Sequence, residues 1–208
     1  MLFSSLVWSK PASILILGDS LSASYGMDEA EGWVNLLQNE LPETRLINAA
    51  VSGETTDGAL RRLPALLTEH SPEWIFVELG GNDGLRGFPL SVTEQNLRQI
   101  IELGLASNSK VMLSEILLPP NYGRRYTQAF QSIFPRLADE YEVVLVPFFM
   151  ADIATDPALM QADGIHPNRA AQPLIVETIK PWFRAPERRS MTSKANAGLP
   201  AGQTKATP

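Results

Sequence analysis

Five short, almost wholly apolar runs recur along the chain, each followed by a stretch of helical period. The runs occupy residues 14–18, 45–50, 74–79, 110–117 and 143–147, and the helical stretches 33–41, 56–69, 93–106, 126–140 and 169–183. A strand with one wet face alternates apolar and polar residues. Runs such as "ILIL" and "WIFV" do not, so both of their faces must be covered. Parallel strands with helices on either side meet that requirement. Five β-then-α units in 208 residues therefore predict one doubly wound α/β domain, spanning residues 13–184. Residues 1–12 are expected to form a flexible N-terminal segment. From about Ala185 the apolar anchors stop, and residues 185–208 are expected to be a disordered tail.

This architecture says where function must lie. In open α/β sheets, ligands bind beyond the carboxyl ends of the strands. The segments in those places are "GDSLSASYG", "AVSGETT", "GGNDGLRG", "LPPNYGRR" and "FFMADIATDPALMQADGIHPN", all rich in Gly, Asn, Asp or Ser. Composition removes several kinds of chemistry. With no cysteine there is no thiol nucleophile, thiolate metal site or disulfide. The net charge of -6 disfavours nucleic acid, which needs a basic surface to replace phosphate counterions. No window of 18 apolar residues exists for a membrane span. Residues 184–208 carry five basic residues against Glu187, so this end is +4 and residues 1–183 are -10. Such a tail could touch an anionic membrane, but a solvated end is the simpler expectation.

A hydroxyl nucleophile needs a base within hydrogen-bond reach and a group that orients the base. Ser20 directly follows the first strand. Only two histidines could serve it. His70 follows a helix and precedes a strand, which puts it at the opposite, amino-end edge, where a structural role at a helix C-terminus is expected. His166 precedes the last helix, on the side of Ser20, with Asp163 three residues earlier. Asp163 could accept from Nδ1–H and leave Nε2 to take the proton of Ser20. Equally, "DG" signals a turn, and Asn168 or Asp163 could simply cap the last helix. Spacing alone leaves both readings open. An oxyanion needs fixed donors, and three converge: the N–H of Ser20 at an expected strand-to-helix junction, the N–H of Gly53, and the side chain of Asn82. The nucleophile elbow G-x-S-x-G is absent, which argues against the α/β-hydrolase fold.

Taken together, "GDSLS" with Ser20, "SG" with Gly53, "GGND" with Asn82 and "DGIHPN" with Asp163 and His166 resemble the four blocks of the SGNH (GDSL) hydrolase family, in order and in loop placement. The resemblance spans residues 13–183. "RLPALL", "VELGGNDGLRGF", "LPPNYGRRY" and "PFFM" look like its bacterial branch of acyl-CoA thioesterase, arylesterase and lysophospholipase enzymes. It implies a flavodoxin-like three-layer α/β/α sandwich with strand order 2-1-3-4-5. It also implies Ser20 as nucleophile, His166 as base and Asp163 as its partner, with Ser20, Gly53 and Asn82 as oxyanion hole. No metal or cofactor is implied.

The implied substrate is a small-molecule acyl ester or thioester, cleaved through an acyl-enzyme on Ser20. Leu85, Phe88, Leu117 and Tyr122, after the third and fourth strands, are expected to meet the acyl chain, though ordinary packing would also explain them. A monomer is compatible with these residues. Deacetylation of carbohydrate would use the same machinery, and a non-catalytic flavodoxin-like binding module is the alternative of a different class. The start "MLFSSLVWSKPAS" has no basic n-region and reads as a poor secretory signal, so the chain as written reads as cytoplasmic. The resemblance, by contrast, implies the periplasm.

Overall fold

A computed structural model describes residues 12–184. Apart from Ala12, the expected N-terminal segment 1–12 and the tail 185–208 lie outside the described residues. Five strands, β1 (Ser13–Gly18), β2 (Arg45–Asn48), β3 (Trp74–Glu78), β4 (Lys110–Ser114) and β5 (Val144–Val146), form one sheet in the order β2-β1-β3-β4-β5. Every adjacent pair is parallel. The helices are α1 (Trp33–Glu40), α2 (Thr56–His70), α3 (Gly81–Leu85), α4 (Leu90–Ala106), α5 (Arg124–Gln131), α6 (Ile133–Tyr141) and α7 (Gln172–Arg184). Among the described residues no helix is long and apolar enough to cross a membrane.

The unbroken apolar runs have the cause expected of them. In β1, Ile14 and Ile16 point into a core shared with Trp33 and Leu37 of α1 and Ile175, Ile179 and Phe183 of α7. Leu15 and Leu17 point the other way, towards Ala59 and Leu63 of α2, Leu97 and Ile100 of α4, and Phe134 and Leu137 of α6. Successive residues of a strand face opposite sides, so each helical layer takes alternate residues and neither face is wet. The result is a three-layer sandwich. Phe76 anchors the α1/α7 side, edge-on to Phe183 at 5.1 Å between ring centroids. Chain direction along the sheet reverses at β1, with β2 on one side and β3 on the other, which opens a crevice above their carboxyl ends.

Several boundaries differ from the sequence pattern, which also lacks α3, and three of the differences lie in long or functional stretches. The stretch 126–140 is two helices, broken at Ser132. Pro135 has no N–H to offer Gln131, and its ring crowds that carbonyl, so one continuous helix cannot pass through. β4 stops at Ser114 rather than 117, and residues 115–119 run on as irregular chain lining the crevice. The third difference lies after β1. No helix follows: residues 20–26 are a run of turns, in which Ser24 has φ 55°.

Candidate active site

The turns after β1 are built by Asp19. Gly18 precedes it because no side chain fits there: a Cβ would lie 2.8 Å from Glu78 Oε2. Asp19 Oδ1 accepts the N–H of Leu21 at 3.1 Å, and its carbonyl accepts those of Ser22 and Ala23. Ser20 therefore sits on a tight bend just past the strand, with its hydroxyl towards the crevice. The expected strand-to-helix junction is absent, so no helix dipole acts on the Ser20 N–H. What makes that N–H available is the bend itself: it donates to no other described residue. The bend is tied down from behind, because Leu21 O accepts from Trp33 Nε1 (3.0 Å) and the Trp33 N–H donates to Gln172 Oε1 (2.9 Å).

Ser20 Oγ lies 2.8 Å from His166 Nε2, and His166 Nδ1 lies 2.7 Å from Asp163 Oδ2. The other Asp163 oxygen, Oδ1, accepts the backbone N–H groups of Ile165 (2.9 Å) and His166 (3.0 Å). Capping of the last helix falls to Asn168, whose Oδ1 accepts from Ala170 and Ala171. The contact with the imidazole and the helix cap thus fall to different residues of the "DGIHPN" segment. Burial opposes ionisation of Asp163, but hydrogen bonds from the His166 ring and from these backbone groups outweigh it and bring its pKa down to about 2. The imidazole also carries a ring that sequence reading passed over: Tyr25 lies 4.1 Å from it, centroid to centroid.

Gly53 and Asn82 stand on the two neighbouring loops. Gly53 has φ +78°, a conformation natural to glycine, and its N–H meets no acceptor among the described residues. Asn82 lies in the first turn of the short helix α3, and its Nδ2 donates to Asp19 Oδ2 at 3.1 Å, leaving a second N–H unused. The loops are locked together by Asp83, buried, which accepts from Thr56 N–H (3.0 Å) and Thr56 Oγ1 (2.5 Å). Arg86 adds a bond from Nη2 to the carbonyl of Gly53 at 3.1 Å. A hydroxyl–imidazole–carboxylate chain thus stands beside the loops that carry Gly53 and Asn82; Ser20, Asn82 and His166 line one cleft, and Gly53 is not among its lining residues.

Residues 16–173 match the model of the GDSL-like lipase/acylhydrolase family. The chain belongs to that family. It is 53% identical over 166 residues to thioesterase 1/protease 1/lysophospholipase L1 of Escherichia coli K12, covering 79% of this chain and 80% of the relative. It is 45% identical over 170 residues to the arylesterase of Vibrio mimicus, covering 80% and 85%. Among solved structures, the psychrotrophic esterase EstA from Pseudoalteromonas sp., inhibited by monoethylphosphonate, is similar with a TM-score of 0.80 and 48% identity, over 83% of this chain and 98% of that one. The protein is thus an ester hydrolase of the GDSL type, and the binding-module alternative falls away.

Beneath the loops of this GDSL hydrolase lies a pair of buried carboxyl groups. Glu78, the last residue of β3, is fully buried inside a strand that is otherwise apolar. Its Oε2 accepts from Ser22 Oγ (2.8 Å) and from the Asp19 N–H (3.3 Å), while Oε1 has no partner among the described residues. Burial, reinforced by the adjoining Asp19 charge, pushes its pKa well up. Burial likewise raises Asp19 to about 6, against the opposing pull of its hydrogen bonds with Leu21, Glu78 and Asn82. The pair therefore holds at least one proton where free carboxyls would hold none.

A carboxyl whose pKa is raised on folding keeps a proton that the unfolded chain releases, so it erodes stability as pH climbs from the ordinary carboxylate range through the folded value. Glu78→Gln keeps the acceptor and removes that proton equilibrium. Its stability relative to wild type is expected to rise as pH climbs above the ordinary glutamate value of about 4.5 in urea unfolding. A pH-independent difference would mean that Glu78 is not held protonated.

The crevice itself is a cleft of about 590 Å³ with Ser20, Asn82 and His166 at its base. Its walls are apolar, from Ile116, Phe148, Met150 and Ile165 among others. Leu85 and Leu117 line it; Phe88 and Tyr122 do not. Phe88 is exposed beyond α3, and the Tyr122 hydroxyl donates to Leu85 O (3.0 Å), holding the backbone of a residue that does line the cleft. His70 ends α2 with its Nε2 3.8 Å from Glu69 Oε1, away from the cleft.

Proposed function

We propose that Ser20 is the nucleophile of this hydrolase, His166 its general base and Asp163 the carboxylate that holds the imidazole. Ser20 Oγ bonds to the acyl carbonyl carbon as its proton passes to His166 Nε2. The carbonyl oxygen, now negative, receives N–H groups from Ser20, Gly53 and Asn82, where one such donor is worth about 3–4 kcal/mol. The intermediate collapses as His166 returns the proton to the departing alcohol or thiol. Water then repeats the sequence on the acyl-enzyme and releases the acid. The 2.8 Å contact between Ser20 Oγ and His166 Nε2 carries this reading.

The substrate class we infer is an ester or thioester with an apolar acyl chain. The apolar walls of the cleft support it, as do relatives bearing the names thioesterase, lysophospholipase and arylesterase. A carbohydrate acetyl group would make little use of those walls. The test is labelling by a fluorophosphonate probe followed by peptide mass mapping. Wild type is expected to take up one probe per chain, on the peptide containing Ser20, and Ser20→Ala none. Modification of a different serine would refute the assignment.

A further inference from the structure

We propose that Arg86, Arg124 and Arg125 form a phosphate-binding rim that selects substrates whose leaving group carries a phosphate ester. The inference rests on the Ser20 reading above and adds a second determinant, outside the acyl cleft.

Arg86 lies one residue beyond Leu85, which lines the cleft, and its Nη2 reaches the carbonyl of Gly53. Its guanidinium is thereby tied to Gly53, the residue proposed above to offer its N–H to the reacting oxygen. Arg124 and Arg125 open α5 and line a second depression, of about 520 Å³, with Tyr122, Tyr126 and Leu90. The two hollows adjoin. Pro119 and Pro120 belong to the first and lead directly into Tyr122 of the second, and the hydroxyls of Tyr122 and Tyr126 donate to Leu85 O and Gly84 O at 3.0 and 3.1 Å.

Charge and place together mark the three arginines, since Arg45 and Arg184, which likewise have no ion pair among the described residues, begin β2 and end α7 away from the cleft. Most other described basic side chains are paired: Arg62 with Glu54, Arg136 with Glu94, Arg169 with Glu31 and Lys180 with Glu40, for example. Arg86, Arg124 and Arg125 are exposed, and none has a carboxylate partner among the described residues. The only acid lining either hollow is Asp19, buried below the floor. In a chain of net charge -6, unneutralised guanidinium groups gathered beside the one reactive cleft are suited to phosphate. They would also draw an anionic substrate to a surface that otherwise repels it.

The rim has two depths. In a lysophospholipid the phosphate is a few bonds from the ester, within the province of Arg86. In an acyl-CoA it follows the whole pantetheine arm, which brings Arg124 and Arg125 into play.

The experiment compares kcat/KM on three substrates with one acyl chain: p-nitrophenyl decanoate, decanoyl-lysophosphatidylcholine below its micelle concentration, and decanoyl-CoA. The proteins are wild type, Arg86→Gln and the double variant Arg124→Gln/Arg125→Gln. Loss of a charge-assisted contact should lower the ratio of phosphate substrate to neutral ester roughly ten- to a hundredfold, through KM. In wild type, added salt should lower the same ratio. A fall confined to decanoyl-CoA assigns the rim to nucleotide phosphates; one confined to the lysophospholipid assigns it to a lipid headgroup. Ratios unchanged in both variants overturn the proposal. A wild-type enzyme that fails to hydrolyse p-nitrophenyl decanoate would instead strike at the Ser20 reading.

Discussion

Ser20→Ala is expected to lower kcat on p-nitrophenyl esters by at least about a thousandfold while KM and thermal stability stay near wild type. The side-chain hydroxyl makes one hydrogen bond in the fold, to His166 Nε2, so its loss leaves no buried polar group stranded. The bend that presents it is held by Asp19, Leu21 and the Trp33 indole, none of which needs the hydroxyl. What disappears is the covalent route. On the proposed roles, the residual rate would measure what the N–H groups of Gly53, Asn82 and Ser20 itself do for direct attack by water. A variant retaining more than about a thousandth of wild-type kcat would show that the acyl group is not carried by Ser20.

Asp163→Asn tests a different property, the orientation of the imidazole. Asp163 Oδ1 is committed to the N–H groups of Ile165 and His166, so an asparagine must keep its oxygen there. Its amide NH₂ then faces His166 Nδ1, a position that needs an acceptor. The imidazole is driven to the tautomer protonated on Nε2, which cannot accept the proton of Ser20. A loss in kcat of roughly 10³–10⁴ follows by analogy with the same change in a serine protease triad. The turn should survive, because both of its backbone hydrogen bonds do. Retention of most activity would mean that Asp163 serves only the turn.

Much of this molecule was legible in its residues, and the parts that were not share a cause. The sheet could be read because the runs 14–18 and 74–79 are apolar at successive positions, which only strands covered on both faces require. The break in 126–140 also had a signal, Pro135 at the centre of the stretch, which helical periodicity overrode. Glu78 is plainer still in retrospect: a carboxyl inside "WIFVE" cannot be solvated and must be neutral or paired. Tyr25 and Arg86 were beyond reach. Their importance comes from loops that fold back on one another, and nothing in "SASYG" or "GLRG" states what lies across the gap. The same limit explains Phe88 and Tyr122, apolar residues of the right loop that sit outside the cleft.

One connection binds the two ends of the described chain. Ser20 and His166 are 146 residues apart, and the last helix reaches the serine's bend through Gln172, Trp33 and Leu21 in turn. The proposed nucleophile and base thus come from opposite ends of the described chain, and one hydrogen-bonded path joins the last helix to the serine's bend. That path runs Gln172, Trp33, Leu21, so the bend that presents Ser20 is built partly from the far end of the sequence, and its shape is not a local property of residues 19–26.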